Sequence, residues 1–169
     1  VVWFTGLPCS GKSSIADGVA DILLKKGKSI EKLDGDIVRQ DLCSDLDFSK
    51  KGRDENIKRI TFVSKLLSRN KTIVLASFVS PYRDTRYKIS ESVTNFIEIY
   101  VFADKVTCAQ RDVKGMWARA KEGKIKSFTG FNAPYETPYK PSVTCITEKE
   151  TLEESVNKVI DCLSQRKLI

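Results

Sequence analysis

The run Gly6-Leu7-Pro8-Cys9-Ser10-Gly11-Lys12-Ser13 fits the pattern G-x-x-x-x-G-K-[ST], and its neighbours supply the context that pattern requires. Upstream, Val1-Val2-Trp3-Phe4-Thr5 reads as a buried strand. From Ser13 to Lys26, Ile15, Val19, Ile22 and Leu23 recur at helical spacing. A strand passing through a glycine-rich loop into a helix N-terminus aims backbone N–H groups at one point and makes an anion cradle. Lys12 would reach the β- and γ-phosphates of a nucleotide from such a loop, and the Ser13 hydroxyl would hold Mg²⁺. The chain is therefore expected to build its fold around a phosphate site at the end of its first strand.

The rest of the sequence alternates accordingly. Strands are expected over Ser29–Leu33, Thr72–Phe78, Phe96–Phe102 and Val143–Ile146. Helices are expected over Ile37–Leu42, Asp54–Arg69, Asp84–Val93, Lys105–Arg111 and Leu152–Leu163. Thr72–Phe78 is almost continuously apolar, as a strand buried on both faces must be. This order predicts an α/β fold of the P-loop NTPase type, a parallel sheet with helices on both faces, in a single domain spanning 1–169. The interval from Asp112 to Pro141 breaks the alternation. It is rich in Lys and Arg, is punctuated by Gly115, Gly123 and Gly130, and ends in Pro134, Pro138 and Pro141. It reads as a basic lid that closes over phosphates. A solvated basic loop is the plainer reading of the same charges.

Composition excludes some functions and leaves others open. There is no histidine, so no imidazole base or His-based metal site exists, and a general base must be a carboxylate, lysine, tyrosine or cysteine. The five cysteines are odd in number and lack a Cys-x-x-Cys, which points to reduced thiols and a cytoplasmic setting. No apolar run approaches the roughly 20 residues of a membrane helix, so no membrane partner is expected. The chain begins at what should be its first strand. Residues upstream of Val1 are thus expected to be missing, and a short organellar address, if one stood there, would be lost with them. A net charge of +7 suits an anionic partner. Its clustering in a lid beside a P-loop favours a small phosphate ester over nucleic acid.

Ligands of open α/β sheets bind beyond the carboxyl ends of the strands. Asp34-Gly35-Asp36, Ser80-Pro81-Tyr82-Arg83 and Arg111-Asp112 all fall there. Carboxylates at that place accept a hydroxyl proton or anchor a magnesium-bound water, and arginines clamp a second anion. Leu75-Ala76-Ser77-Phe78 lacks the aspartate that ends this strand in motor-type ATPases, so a small-molecule kinase is expected.

With these residues in place, the chain resembles the adenylylsulfate kinases. The P-loop, Leu33-Asp34-Gly35-Asp36, Phe48-Ser49, Arg53-Asp54-Glu55-Asn56-Ile57-Lys58-Arg59 and Ser80-Pro81-Tyr82-Arg83 occur in that family's order. Arg111-Asp112-Val113-Lys114-Gly115, Phe128-Thr129-Gly130 and Pro134-Tyr135-Glu136 follow suit. The resemblance implies transfer of a phosphoryl group from ATP to the ribose 3′-hydroxyl of adenylylsulfate, giving 3′-phosphoadenylylsulfate and ADP, with Mg²⁺. It implies Lys12, Asp34 and Ser80 as the catalytic set and Ser13 and Asp34 at the metal. ATP would be held by residues 6 to 14, Ser14 included, and by Arg111, Cys145 and Thr147. Adenylylsulfate would meet Asp36, Arg39, Phe48, Arg53, Asn56, Val79, Ser80, Lys114, Ser127 and Phe128, its adenine stacked between the two phenylalanines. A homodimer and association with ATP sulfurylase are implied as well.

Plainer readings stand beside these roles. Phe48 can be a core residue, Asp36 a helix cap and Arg59 a surface charge. Cys9 stands where the family usually has Gly or Ala, Ser14 replaces a common Thr, and Asp41 and Asp47 replace glycines. Asp47 places a negative charge beside Phe48, against the affinity for an anion. The position of Cys9 beside a helix N-terminus and Lys12 would lower its thiol pKa. Alternatively, Cys9 packs as a small apolar residue. A non-catalytic nucleotide-sensing module of a sulfurylase system is the competing function.

Overall fold

Parallel pairing buries both faces of a strand, and the central strand shows this residue by residue. Val2 and Phe4 face one core and Val1 and Trp3 the other, with Trp3 and Phe4 fully buried. The computed structural model describes residues 1–169. Its strands β1 (Val2–Thr5), β2 (Ile30–Asp34), β3 (Ile73–Ser77), β4 (Ile97–Phe102) and β5 (Val143–Ile146) form one parallel sheet in the order β2-β3-β1-β4-β5. The helices are α1 (Lys12–Lys25), α2 (Gly35–Asp41), α3 (Lys50–Arg69), α4 (Arg83–Ser92), α5 (Lys105–Gln110), α6 (Met116–Lys121) and α7 (Leu152–Gln165).

The larger core lies between the sheet and helices α1 and α7. Ile15, Val19 and Leu23 meet Val156, Val159 and Leu163 over Val2, Phe4, Leu75, Ile97, Ile99 and Val101. Each such side chain contributes about 1.5–3 kcal/mol of apolar burial. On the opposite face, Ile57 and Ile60 of α3 and Ile89 of α4 cover Val74, Ala76 and Phe78, and the Trp3 and Phe78 rings stack at 5.3 Å. A third, smaller cluster joins Cys108, Trp117, Ala120 and Phe128 under the basic segment. Register matters for the site. Asp34 pairs with Ser77, and Phe4 pairs with Ser77, so the carboxyl ends of β2, β3 and β1 arrive side by side.

The expected strands and helices are present, with shifts at their ends. Helix α3 begins at Lys50 rather than Asp54, because the Ser49 hydroxyl accepts from the Gly52 N–H at 3.1 Å and caps it. Within the expected lid, α6 is an additional element, started by Gly115 in the left-handed region (φ 63°) and held by the Asp112 carboxylate, which accepts from Met116 N and Ala118 N. No helix is long and apolar enough to cross a membrane. All five cysteines are free thiols.

Helices α1 and α7 approach closest at Gly18, where an added Cβ would lie 2.6 Å from Cγ2 of Val156. Valine is stiff at χ1 and cannot swing aside cheaply. Gly18→Ala is therefore expected to lose about 1–2 kcal/mol on urea unfolding, although alanine is the better helix former by about 1 kcal/mol. A stabilised variant would show that the two helices can part without cost.

Candidate active site

The carboxyl ends of all five strands open into one cleft of about 700 Å³. Its floor is the phosphate loop. Gly11 takes φ 99° at the N-cap of α1, turning the chain so that the first amides of the helix face the cleft. Lys12 is buried, and its ammonium donates to the carbonyls of Gly6 (3.2 Å) and Leu7 (2.7 Å). Burial lowers its pKa from 10.5 to about 8, since a desolvated ammonium without an anion is unfavourable. Beside it the Ser13 hydroxyl donates to Asp34 Oδ2 at 2.7 Å, while Asp34 Oδ1 accepts from Asp36 N and caps α2. Asp34, not Asp36, is therefore the cap. The Asp36 carboxylate instead pairs with Lys114, an exposed ion pair that holds the lysine pKa above its usual value.

Arg111 and Thr147 clasp the loop from the β5 side. Arg111 donates to the Thr147 hydroxyl and carbonyl, both at 2.8 Å, and that hydroxyl donates to Ser10 O at 2.9 Å. Ser14 and Cys9 also line the cleft, whereas Gly6, Leu7 and Ser10 lie beneath it. Cys145 does not reach the cleft. It alternates to the opposite face of β5, fully buried in the α1–α7 core, with its thiol directed to Ser155 O at 3.7 Å and pushed by burial to about 11.

Across the cleft stand Asp36, Arg39, Phe48, Arg53, Asn56, Val79, Ser80, Lys114, Ser127 and Phe128, the whole expected acceptor set. Phe48 is 49% exposed, which rules out the core reading, and carries the Arg39 guanidinium on its face at 4.2 Å. Arg53 donates from Nε to Phe48 O at 2.9 Å and from its terminal nitrogen to Ser127 O, so one side chain ties both phenylalanine-bearing segments together. Phe128 is almost fully buried. Trp117 meets it edge-on at 5.0 Å and donates its indole N–H to Pro8 O at 3.2 Å. Asp47 is no obstacle to an anion: its carboxylate turns to Ser49 N and Oγ, away from the cleft. Arg59 lies outside the cleft, holding Asp45 with two bonds and Leu42 O with a third.

Ser80, expected in the catalytic set, lines the cleft but is 3% exposed. Its hydroxyl accepts from the Trp3 indole at 3.0 Å and bonds to Thr5 Oγ1 at 3.1 Å, leaving it committed inside the wall. Conversely, three buried oxygens on the cleft lining have no partner in the protein: Asn56 Oδ1, Ser77 Oγ and Thr129 Oγ1. Ser77 and Thr129 escaped the sequence reading. The one available signal was the position of Ser77 at the end of a buried strand facing a ligand site, since unmet hydrogen-bonding capacity appears only in three dimensions.

Comparison with known proteins points to one family. Residues 1–146 match the sequence profile described as "Adenylylsulphate kinase". The adenylyl-sulfate kinase of Microcystis aeruginosa is 52% identical over 164 residues, covering 97% of this chain and 91% of the relative. That of Halothermothrix orenii is 50% identical over 165 residues, covering 98% and 89%. Among solved structures, the Mycobacterium tuberculosis APS kinase in complex with AMPPNP and APS superposes with a TM-score of 0.92 at 38% identity, covering 96% of both chains.

Of the two readings of Cys9, the packed small residue is the one that the structure supports. Although it neighbours Lys12, its thiol pKa is raised, first by burial and then by the Asp112 carboxylate 4.0 Å from its sulfur. The residue takes φ 66° and packs against the Trp117 cluster. At neutral pH it remains a protonated thiol, so mass-spectrometric alkylation should find Cys9 modified more slowly than a free small-molecule thiol. Rapid labelling would mean that the lysine field prevails over burial.

Proposed function

The chain belongs to the adenylylsulfate kinase family, and from that premise we propose that it transfers the γ-phosphoryl group of ATP to the 3′-hydroxyl of adenylylsulfate. The observation that carries this reading is the convergence of Lys12, Ser13 and Asp34 on one side of a cleft whose other side presents Phe48, Phe128, Arg39, Arg53 and Asn56. An acid or sugar acceptor has no use for two aromatic faces, whereas a nucleotide base stacks on them.

The phosphates of ATP lie on the loop amides, and Lys12 turns from its own carbonyls to the β- and γ-phosphates. Ser13 Oγ and Asp34 are hard oxygen donors 2.7 Å apart, a set that fits Mg²⁺. Held by these two residues, Mg²⁺ would supply charge neutralisation for the transferring phosphoryl group. Asp34 accepts the proton of the 3′-hydroxyl as that oxygen bonds to the γ-phosphorus, and the bond to the leaving ADP oxygen breaks. Arg39 and Arg53 face the phosphosulfate, and Lys114 exchanges the Asp36 carboxylate for substrate oxygens. We carry forward the homodimer, the association with ATP sulfurylase and the cytoplasmic setting on the same resemblance. No observation favours the non-catalytic reading, and Lys12, Ser13 and Asp34 lining one cleft speak for the catalytic one.

A coupled assay with ATP, Mg²⁺ and adenylylsulfate should release ADP, and Lys12→Ala should lower kcat by about a hundredfold or more with a smaller change in the Michaelis constants. Absence of ADP release by the unaltered chain would overturn the function. Unchanged kcat in the variant would overturn the role of Lys12.

A further inference from the structure

The acceptor side of the cleft has two walls from distant parts of the chain, residues 79–81 after β3 and residues 127–129 in the basic segment. The first is held in an unfavourable conformation. Ser80 has φ 37°, in the left-handed region where a residue with a Cβ costs about 1–3 kcal/mol unless its surroundings fix it. The principal fixture is Arg86 of α4, 3% exposed, which touches neither wall's cleft-facing surface.

Its guanidinium makes three different attachments. One terminal nitrogen donates to Ser80 O at 2.6 Å, the other to Glu136 O at 2.5 Å, and Nε donates to Glu98 Oε1 of β4 at 2.8 Å. Glu136 closes the frame, with its N–H donating to Pro81 O and its carboxylate accepting from Arg83 N, both at 2.8 Å. Tyr135 stacks on Tyr100 and shares a hydrogen bond of 3.0 Å with Thr5 Oγ1, which itself donates to Val79 O. The segment leading from Phe128 back to the sheet is thus fastened to the Ser80 turn at one buried cation.

A buried ion pair is weak evidence of stability, because apolar residues of similar volume often serve as well. What an apolar side chain cannot do is hold three polar groups of three segments in one plane. We propose that Arg86 is a positioning residue for the acceptor: it sets the spacing of the two walls that receive adenylylsulfate, without touching either substrate. This rests on the function proposed above.

The test compares the unaltered chain with Arg86→Lys, Arg86→Met and Glu98→Gln, measuring both Michaelis constants, kcat, ATP affinity and the thermal midpoint. Lysine retains the charge but not the planar fork, and Glu98→Gln keeps an acceptor for Nε while discharging the pair. The expected result is a rise in the Michaelis constant for adenylylsulfate of about tenfold or more in Arg86→Met, less in Arg86→Lys and least in Glu98→Gln. ATP affinity should stay within about twofold, since the phosphate loop is anchored elsewhere. Equal loss for both substrates, or a lower thermal midpoint with unchanged constants, would overturn the proposal. Should Arg86→Met fail to fold, the other two variants decide it by the same criterion. Inactivity of the unaltered chain would count against the function, whereas activity with no acceptor-specific change would count against Arg86 alone.

Discussion

The burial of one ammonium group organises this molecule. Lys12 must be close enough to the loop amides to share an anion with them, and the fold achieves this by withdrawing it from water into the carbonyls of Gly6 and Leu7. Those carbonyls compensate for only part of the lost hydration, so its pKa falls to about 8. Between that value and its ordinary 10.5, the unfolded chain binds more protons at this site than the folded chain does. This lysine therefore makes the ligand-free fold more stable as pH rises through that window. A phosphate ligand reverses the balance by supplying the missing negative charge.

The remaining architecture brings an acceptor to that charge. The central position of β1 places the loop between β3, which ends in the Ser80 turn, and β4, which leads to Arg111. Register then sets Asp34 beside Ser77 and within reach of Ser13. The basic segment supplies the opposite wall and remains tied to both neighbours, to the loop through the Trp117 indole and to α2 through Lys114 and Asp36. The exposed Lys114–Asp36 pair is suited to exchange, since such pairs contribute little and yield readily to a better anion.

Much of this was legible from the residues. The loop motif fixed a strand, a turn and a helix at once, and the remaining alternation left a parallel sheet as the outcome. The acceptor residues were legible through resemblance, because an acceptor side built from five separate segments has no local signature. Beside Ser77 and Thr129, two features escaped. Cys145 was placed at the nucleotide, but strand alternation turns its side chain into the core. Helix α6 was hidden because its start depends on a left-handed glycine and on a cap from Asp112 rather than on apolar periodicity.

With its pKa lowered to about 8, Lys12 is partly discharged in the free protein near that pH and recovers its proton when phosphates arrive. Calorimetric titration of MgATP near pH 8, in two buffers of different ionisation enthalpy, tests it directly. The apparent binding enthalpy is expected to depend on the buffer, with net uptake of a fraction of a proton per site. The same enthalpy in both buffers would mean that Lys12 keeps its full charge in the closed loop or never meets the phosphates, and either result would contradict it.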